Sequence, residues 1–442
     1  MKALRKTLLS SLVLILALTV LLVGCSSGND EESTTTNESE SEQSTEQSSE
    51  ESTTQESIDL QFYTDNPNWV EAITKTGAAI KDKTGIGFKD VTFSDVNTYK
   101  ATVKQALQSD NPPDLLKWWS HGQMTELVEA DELVDLTEEW QQHYAAKGLD
   151  PAKAAPFTID GKTYAIPAGY LYWVVFYNTK VFEQYNLTPP KTWSELEQIN
   201  ETLIKNGIAP FAQTVEGEWP GFVWYEELMA RSDPDLYDQL NKGQAKYTDP
   251  RVVKVFELWK SLIDKGWFAE VKTQTEIAQD MAQGKTAMFL FGQWYNGQLQ
   301  GAGLTPGEDY SAFFMPNVNP DLGPIAIYET AAIAVPKGPN EEKVKEALRT
   351  FFDTDVITIW NDGLAYPPYT TGTSTSNPMF QTISDAVAEQ NPRLVDRFWE
   401  GTPSDLALFN SQQFVKFILK PDSYMEVLQT IEDNAAKYWA AQ

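Results

Sequence analysis

The sequence predicts an α/β protein of two lobes, preceded by an export signal and a polar spacer. Stretches with the pattern of buried strands alternate with stretches that have the pattern of amphipathic helices, and this alternation is typical of parallel, wound sheets. Residues 58–442 exceed the size at which a single hydrophobic core keeps growing, so a division into two lobes is expected. The sequence contains no internal repeat that would indicate a solenoid.

The first 24 residues have the order of a secretion signal. Three basic residues precede an apolar run at residues 8–23, which ends in small residues. The run is short for a membrane span, and cleavage is therefore the favoured interpretation. The tetrapeptide Leu-Val-Gly-Cys resembles the lipobox of bacterial lipoproteins. This resemblance implies that Cys25, the only cysteine of the chain, becomes the acylated N-terminus.

Residues 25–57 comprise the lipidated cysteine and a predicted spacer. The spacer is rich in Ser, Thr, Glu and Gln and contains no basic and no aromatic residue. Such a segment cannot bury a core and should behave as a disordered, self-repelling tether. Tethers of this kind look like those of bacteria with a single membrane and a thick wall. We therefore expect a domain anchored by lipid at the extracytoplasmic face of the cell membrane.

The charge of the folded part limits its partners. Of the 34 basic and 63 acidic residues in the chain, three basic ones lie in the signal and ten acidic ones lie in the spacer. The domain therefore holds 31 basic and 53 acidic residues, a balance of −22. This balance excludes a nucleic-acid binder and disfavours direct adsorption to anionic lipid. We expect a monomer that its lipid alone holds near the membrane.

Hydrophobic periodicity places the strands and helices in order. The expected strands are 58–63, 88–93, 114–118, 164–167, 170–177, 285–291 and 330–335. The expected helices are 69–83, 99–109, 123–130, 194–206, 222–231, 250–265, 275–283 and 340–353, with a mostly helical remainder to residue 439. Ligands of open α/β sheets bind at the carboxyl ends of the strands, and with two lobes the natural site is the cleft between them.

The sequence lacks the motifs of common enzymes. Both glycine-lysine-threonine triplets, at Gly161 and Gly284, lack the earlier glycine that a phosphate-binding loop needs. There is no GxSxG, HExxH, paired CxxC or EF-hand pattern, and the chain has only two histidines. Glu226 and Glu227 are adjacent, but on a helix they point about 100° apart, so a solvated helix face is the better interpretation. No cofactor and no metal are expected.

Aromatic residues occupy unusual places in this sequence. Many of the 14 Trp and 18 Tyr residues stand beside Gly, Pro, Asn or Asp instead of within apolar runs. A pyranose ring has an apolar C–H face and a rim of hydroxyl groups, so its site needs flat aromatic side chains together with Asp, Glu, Asn and Gln. Groupings of this kind occur at residues 63–66, 118–121, 170–173, 218–219, 224–225, 293–296 and 328–330. For any single Trp, a place in the core is still the commoner outcome.

Six motifs make the chain resemble the extracellular solute-binding proteins of ABC importers, in the family that includes maltose-binding protein and the multiple-sugar binders. In family order they are residues 111–116 (NPPDLL), 161–167 (GKTYAIP), 177–178 (YN), 190–196 (PKTWSEL), 281–294 (MAQGKTAMFLFGQW) and 333–338 (IAVPKG). The resemblance covers nearly all of residues 58–442. It implies an α/β, two-lobe periplasmic-binding-protein-like (type II) fold with an interlobe ligand cleft.

The resemblance also implies a division of the chain and a function. Lobe 1 would comprise about residues 58–166 and 325–366, and lobe 2 about residues 167–324 and 367–442. Such proteins close around their ligand by a hinge motion, which lets the transmembrane subunits of the permease distinguish a loaded receptor from an empty one. The implied function is capture of a sugar or oligosaccharide outside the membrane and its delivery to the permease, without catalysis.

Individual ligand-binding residues follow from the same resemblance. Asp65 and Asn66 match the polar loop after the first strand, and Trp119 matches the aromatic residue that follows NPPDLL. Trp294 matches the aromatic platform after the GKTAM strand. The remaining candidates are Tyr170, Tyr172, Trp224, Tyr225, Glu329 and Trp399, among which Glu329 would accept hydrogen bonds from hydroxyl groups.

Two other functions remain open. A cationic solute such as a polyamine or betaine could use the same aromatic residues as a cage together with Asp or Glu, and the acidic balance fits this interpretation. A lipid-anchored carbohydrate hydrolase would need two carboxyl groups about 5 to 9.5 Å apart across the cleft. Capture of a neutral sugar predicts facing Trp and Tyr side chains with few basic groups, whereas a phosphorylated ligand would need convergent Arg or Lys.

Overall fold

A computed structural model describes residues 57–441 of the chain. The predicted signal peptide, Cys25 and residues 26–56 of the predicted spacer lie outside the described residues. Within 57–441, none of the helices combines the length and the apolar character that crossing a membrane requires.

The described residues form alternating strands and helices. The strands are β1 (Ile58–Thr64), β2 (Ile86–Thr92), β3 (Leu115–Trp119), β4 (Thr158–Ile159), β5 (Lys162–Thr163), β6 (Ala165–Pro167), β7 (Leu171–Asn178), β8 (Ala209–Gln213), β9 (Phe268–Val271), β10 (Thr286–Gly292), β11 (Tyr310–Phe313), β12 (Ile325–Glu329), β13 (Ala331–Ala334) and β14 (Arg393–Asp396). The helices are α1 (Val70–Thr84), α2 (Val96–Leu107), α3 (Gly122–Glu129), α4 (Thr137–Glu139), α5 (Thr179–Gln184), α6 (Trp193–Lys205), α7 (Val223–Ser232), α8 (Pro234–Asn241), α9 (Pro250–Asp264), α10 (Gln274–Ala282), α11 (Asn296–Gly301), α12 (Glu341–Phe351), α13 (Thr354–Leu364), α14 (Pro378–Gln390), α15 (Phe398–Gly401), α16 (Ser404–Leu419) and α17 (Tyr424–Ala440).

Lobe 1 is built on a five-stranded sheet in the order β2-β1-β3-β13-β6. β1 is parallel to β2 and β3, while β13 runs antiparallel to β3 and β6. Helix α1 packs closely on this sheet at Gly77. A Cβ at this position would lie only 2.6 Å from the backbone nitrogen of Phe88, so only glycine fits there. Phe62 of β1 stacks on Trp360 of α13 at a centroid distance of 6.2 Å, which joins the sheet to a helix far along the chain.

Lobe 2 is built on a larger sheet in the order β14-β12-β7-β10-β8-β9, with β11 also paired to β7. β12 is parallel to β14 and β10 is parallel to β8, while β7 runs antiparallel to both β10 and β12. The carboxyl ends of β8, β10, β12 and β14 therefore meet at one edge of this sheet. Together the two sheets confirm the predicted two-lobe α/β architecture.

The chain passes between the lobes in neighbouring segments. Residues 168–170 carry the chain from lobe 1 to lobe 2, and Thr330 carries it back to lobe 1. The two crossings lie side by side, because the Thr330 hydroxyl donates a 2.8 Å hydrogen bond to the Gly169 carbonyl. The sequence places the return of the chain to lobe 1 at about residue 325, but in the structure it comes later. β12 is hydrogen bonded within the sheet of lobe 2, and β13 is the first strand after it that belongs to the sheet of lobe 1. In the last segment, Thr371 still donates its N–H to Gly148 of lobe 1, and Asn377 bonds Asn296 of lobe 2.

Candidate functional site

The carboxyl ends of strands from both lobes meet in the region between the two sheets. β1 and β3 of lobe 1 end at Thr64 and Trp119, while in lobe 2 β12 ends at Glu329. His121, just beyond β3, places its Nε2 3.3 Å from the Asp396 Oδ1 at the end of β14. Because this is where open α/β sheets bind their ligands, we call the region between these strand ends the cleft and take it as the candidate site.

Arg397 joins two acidic side chains on the lobe 2 side of the cleft. Its guanidinium forms ion pairs with Glu329 and with Glu400 of α15, and the distance from Arg397 Nε to Glu400 Oε2 is 2.6 Å. All three side chains are less than 10% exposed. The guanidinium also lies near the rings of Trp173 and Phe222. We call Arg397, Glu329 and Glu400 the Arg397 cluster.

Burial raises the pKa of one carboxyl group of this cluster and of one neighbour outside it. It raises the pKa of Glu329 to about 7, although Arg397 and the indole N–H of Trp294 act in the opposite direction. Burial also raises the pKa of the neighbouring Glu226 well above its ordinary value, partly offset by a 2.8 Å hydrogen bond from the Phe398 N–H. A perturbed carboxyl group beside a cleft, such as that of Glu329, is typical of functional sites.

The raised pKa of Glu329 predicts how stability depends on pH. Between pH 4.5, the ordinary pKa of a glutamate, and about 7, the folded chain keeps a proton on Glu329 that the unfolded chain has released. The free energy of unfolding should therefore fall as the pH rises through this window, by about 1–3 kcal/mol from this group. Urea unfolding at a series of pH values should show a flatter profile for Glu329→Gln than for the parent chain. Superimposable profiles would contradict the assignment.

On the lobe 1 side, a buried ion pair joins β3 to the residue that follows β1. The ammonium of Lys117 lies 2.9 Å from Asp65 Oδ1, and the two side chains are 10% and 6% exposed. Because Lys117 also lowers the pKa of Glu329, this pair lies close to the Arg397 cluster across the cleft. Asp65 thus lies on the lobe 1 side of the cleft, and its contact with a ligand stays a prediction. Asn66 is half-buried beside it, and its amide oxygen caps the following turn by accepting from the Asn68 N–H at 3.1 Å.

Trp119 reaches the cleft but does not offer an open ring. It is only 5% exposed, and the ammonium groups of Lys117 and Lys100 lie 3.8 and 4.6 Å from its ring centroid. Its indole also packs edge-on against Trp118 at 5.3 Å. Two cations therefore already lie against the π surface of Trp119, and its role as a ligand contact stays a prediction.

Trp294 keeps part of its ring exposed at the end of β10. Its indole packs edge-on against Phe291 at 4.9 Å and lies 6.1 Å from Trp219, which begins the short turn Trp219–Phe222. Gly292 makes this fold-back possible, because a Cβ at that position would overlap the Trp294 indole nitrogen. The result is a half-exposed indole pair beside the Glu329 carboxylate.

Tyrosines lie where the chain crosses between the lobes. Tyr170 stacks on Tyr328 with parallel rings whose centroids are 5.4 Å apart. Tyr172 is half-buried and packs edge-on against Phe314, and its N–H donates to Gln293 Oε1 at 2.9 Å. Tyr170 is thus part of a stacked pair at the crossing, while Tyr172 packs on lobe 2.

Trp399 lies where the two lobes touch. Its side chain is 6% exposed, and its ring centroid lies 6.1 Å from that of Phe222 in lobe 2. Its carbonyl accepts a 3.0 Å hydrogen bond from Gln123 of lobe 1. Trp399 is therefore an interlobe contact whose ring is nearly covered.

Trp224 and Tyr225 belong to the interior of lobe 2, which corrects their assignment to the cleft. Trp224 packs edge-on between Phe211 and Phe268, and Tyr225 stacks on Phe414 at 4.4 Å. Their exposures are 4% and 0%. Helix α7 is surrounded by other elements on nearly all sides, so aromatic side chains on it are core residues.

Glu226 and Glu227 also correct an expectation, because neither lies on a solvated face. Both are fully buried on α7. Glu227 pairs with the buried Arg231 one turn later, and Glu226 accepts the Phe398 N–H. The adjacent carboxylates therefore serve separate structural contacts, as their helical spacing requires.

Several cleft residues are not among those predicted from the sequence. They are Lys100, Lys117, Trp219, Tyr328, Arg397 and Glu400. Trp219 and Tyr328 stand in the aromatic groupings that the sequence shows, so their signal was present. The charged residues gave no such signal, because the partners of Arg397 and Lys100 lie as far as 68 and 304 positions away and only the fold brings them together.

A surface hollow elsewhere on lobe 2 contains none of these residues. It has a volume of about 340 Å³ and lies between α6 and the end of α9. Glu197, Glu201, Lys205 and Lys265 line it together with Ile204 and Trp267. Because it involves one lobe only and lacks strand ends, it is a weaker candidate than the cleft.

Comparisons with known proteins agree with this architecture. Residues 66–356 match the family model of the bacterial extracellular solute-binding proteins. A bacterial solute receptor with preference for β-D-galactopyranose superimposes with a TM-score of 0.77 at 20% identity, over 86% of this chain and 99% of that one. A chitin oligosaccharide binding protein gives a TM-score of 0.75 at 19% identity, with the same coverage. These likenesses confirm the predicted two-lobe periplasmic-binding-protein-like fold.

Curated relatives match over shorter stretches. An uncharacterized ABC transporter extracellular-binding protein of Pyrococcus horikoshii is 26% identical over 49% of this chain and 50% of its own length. An alpha-glucosides-binding periplasmic protein of Rhizobium meliloti is 26% identical over 42% of each chain. The chain thus spans about half the length of the curated relatives it matches.

The family match covers well over half of the chain and includes the strand ends that form most of the cleft. The two sheets, the paired crossings at residues 168–170 and 330, and the cleft between the lobes are all consistent with it. The chain therefore belongs to the bacterial extracellular solute-binding protein family.

Proposed function

We propose that this protein is the substrate-binding lipoprotein of an ABC importer, which captures a sugar or oligosaccharide and releases it unaltered to the permease. The observation that carries the proposal is the half-exposed indole pair of Trp294 and Trp219 beside the carboxylate of Glu329. An apolar ring surface next to a hydrogen-bond acceptor matches the two sides of a pyranose. The names of the Rhizobium relative and of the two structures above, which bind alpha-glucosides, galactopyranose and chitin oligosaccharides, support the sugar class.

The charges of the cleft favour a neutral ligand. The cleft holds more basic groups than the sequence suggested, but Lys117 is paired with Asp65, and Arg397 with Glu329 and Glu400. A phosphorylated ligand would need convergent cations that are free to bind it, and Lys100, which belongs to no ion pair within residues 57–441, already donates to Gln123 and Ser404. A polyamine or betaine would need an aromatic cage free of cations, whereas two ammonium groups already lie against Trp119. A polyol rim can instead exchange hydrogen bonds with these paired groups.

The proposal includes the predicted attachment of the domain. A signal peptide at residues 1–24, a lipid on Cys25 and an acidic spacer would hold a monomeric domain outside the cell membrane, within reach of the permease. The acidic balance of the domain supports attachment through the lipid instead of through the protein surface. Metabolic labelling with a fatty acid should mark the parent chain and not Cys25→Ser.

A panel of ligands tests the proposed class. A ligand that binds only the folded chain at a hundredfold excess over its Kd stabilises it by about 2.7 kcal/mol, which raises the melting temperature. Among neutral mono- and oligosaccharides, sugar phosphates, spermidine and glycine betaine, only neutral sugars should raise it. If only spermidine or betaine raised the melting temperature, the ligand would be a cationic solute and the proposed sugar class would be wrong.

A carbohydrate hydrolase is the second candidate, and the raised pKa of Glu329 is the observation that favours it. A glycosidase acid needs such a raised pKa. Against it, Glu329 and Glu400 are both held by one guanidinium. After prolonged incubation, chromatography of oligosaccharides that bind should show them intact. If the parent chain releases a hydrolysis product and the Glu329→Gln variant does not, the protein is a hydrolase.

A further inference from the structure

A connected set of hydrogen bonds crosses from lobe 1 to lobe 2 beside the cleft. The Lys100 ammonium of α2 donates to the Ser404 hydroxyl of α16 at 2.8 Å and to Gln123 Oε1 at 2.9 Å. Gln123 of α3 in turn donates from Nε2 to the Trp399 carbonyl at 3.0 Å. We call Lys100, Gln123, Trp399 and Ser404 the seam.

Each half of the seam is fixed to its own lobe. In lobe 1 the indole N–H of Trp118 on β3 donates to the Gln123 carbonyl at 2.9 Å. In lobe 2 the Phe398 N–H bonds Glu226 of α7, and the Thr402 hydroxyl bonds Asn241 of α8 at 3.2 Å. A rotation that separates these two halves therefore breaks the seam, because each half stays with its own lobe.

The ammonium of Lys100 donates to two protein acceptors and lies near two indole rings. Its hydrogen-bond acceptors are neutral, and its Nζ lies 4.6 and 5.7 Å from the ring centroids of Trp119 and Trp399. None of the ion pairs within residues 57–441 includes Lys100, whereas Lys104, one turn later, pairs with Glu126 at 2.8 Å. Lys100 therefore acts through the opposite lobe and not as the counter-ion of a carboxylate.

The position of Gln123 makes the Lys100 contact necessary in the closed arrangement. Gln123 is fully buried, so the partner of its Oε1 atom must come from the protein while the lobes touch. Without the ammonium this oxygen would be buried without a partner. The free-energy cost of such an unsatisfied acceptor exceeds the net free energy that a typical hydrogen bond contributes. When the lobes are apart, water can bond this oxygen instead. Removal of the ammonium therefore destabilises the closed arrangement and not the open one.

We propose that Lys100 is a positioning residue for closure, which stabilises the closed arrangement of the lobes by bonding across the seam without touching the solute. The proposal goes beyond the assignment of the solute and holds for any ligand that the cleft takes. Because only the closed form grips a ligand, a residue that shifts the open and closed populations changes all ligand affinities by the same factor. A residue that touches the ligand changes them unequally.

The closure equilibrium can be measured on the full chain without any ligand. In a Cys25→Ser background, nitroxide labels on Lys89→Cys in β2 and Glu257→Cys in α9 report the distance between the lobes, and both sites are exposed. Lys100→Met should raise the ratio of open to closed chains about tenfold, the size expected from one unsatisfied buried acceptor. Lys104→Met, on the same helix, should leave the distance distribution unchanged.

An unchanged distribution in Lys100→Met would overturn the proposal, whatever the solute proves to be. If Lys100→Met fails to fold by circular dichroism, Ser404→Ala tests the same contact from lobe 2 and should shift the distribution in the same direction by a smaller factor. A folded Ser404→Ala chain with the parent distribution would then overturn it. A failure of sugars to bind would leave these ligand-free distances as they are, so the two proposals fail separately.

Discussion

Trp294→Ala is expected to abolish the rise in melting temperature that a bound sugar produces, while the ligand-free chain stays folded. The indole is half-exposed beside Trp219 and Glu329, so its removal takes away an aromatic surface of the cleft and little of the core. Central aromatic side chains of binding sites commonly contribute 2 kcal/mol or more, and we expect Kd to rise on the order of a hundredfold. Titration calorimetry with the best sugar of the panel measures this change.

Trp193→Ala is the matched control for this experiment. Trp193 is also half-buried and also in lobe 2, but it begins α6, away from the cleft. Its ring stacks on that of Trp267 with a centroid distance of 5.7 Å. Its removal should lower the melting temperature and leave the affinity unchanged. If Trp294→Ala keeps the parent affinity, or if both variants lose affinity equally, Trp294 is not the platform.

The order of elements could be predicted where strands and helices carry a local pattern, which was so for seven of the fourteen strands within residues 57–441. The strand of residues 171–178 and the helix of residues 250–264 were placed within one residue of their ends. β12 was missed, because a five-residue apolar strand followed at once by another reads as one segment. The crossing near residue 325 was implied by the family resemblance, whereas the pairing of β12 with β7 keeps the chain in lobe 2 as far as Glu329.

The candidate site was predictable where a motif or a strand end marks it. Trp294 and Glu329 are such residues, and the fold brings them together although 35 positions separate them. Trp224 carried the same local signal as Trp219, yet it lies in the core. Sequence shows that an aromatic residue stands near an element end, but only packing decides which side of the helix faces the cleft.

Arg397→Leu is expected to lower the free energy of unfolding by about 3–5 kcal/mol, because it leaves carboxylates buried without their cation. Glu329 and Glu400 are 8% and 3% exposed, and both depend on this guanidinium. Urea unfolding followed by circular dichroism measures the loss. Arg393→Leu is the control, because Arg393 forms exposed ion pairs with Asp235 and Asp238 and should change stability by less than about 1 kcal/mol.

The pH dependence of the Arg397→Leu variant shows whether the loss comes from buried charge. Without the guanidinium, which lowers the pKa of Glu329, this pKa should rise further above 7, so the variant should recover stability as the pH falls and the carboxyl is protonated. Adding Glu329→Gln to Arg397→Leu should restore part of the stability at pH 8, because an amide needs no counter-ion. Equal losses at pH 5 and pH 8, with no gain from Glu329→Gln, would indicate that Arg397 stabilises lobe 2 by packing on Trp173 and Phe222 alone.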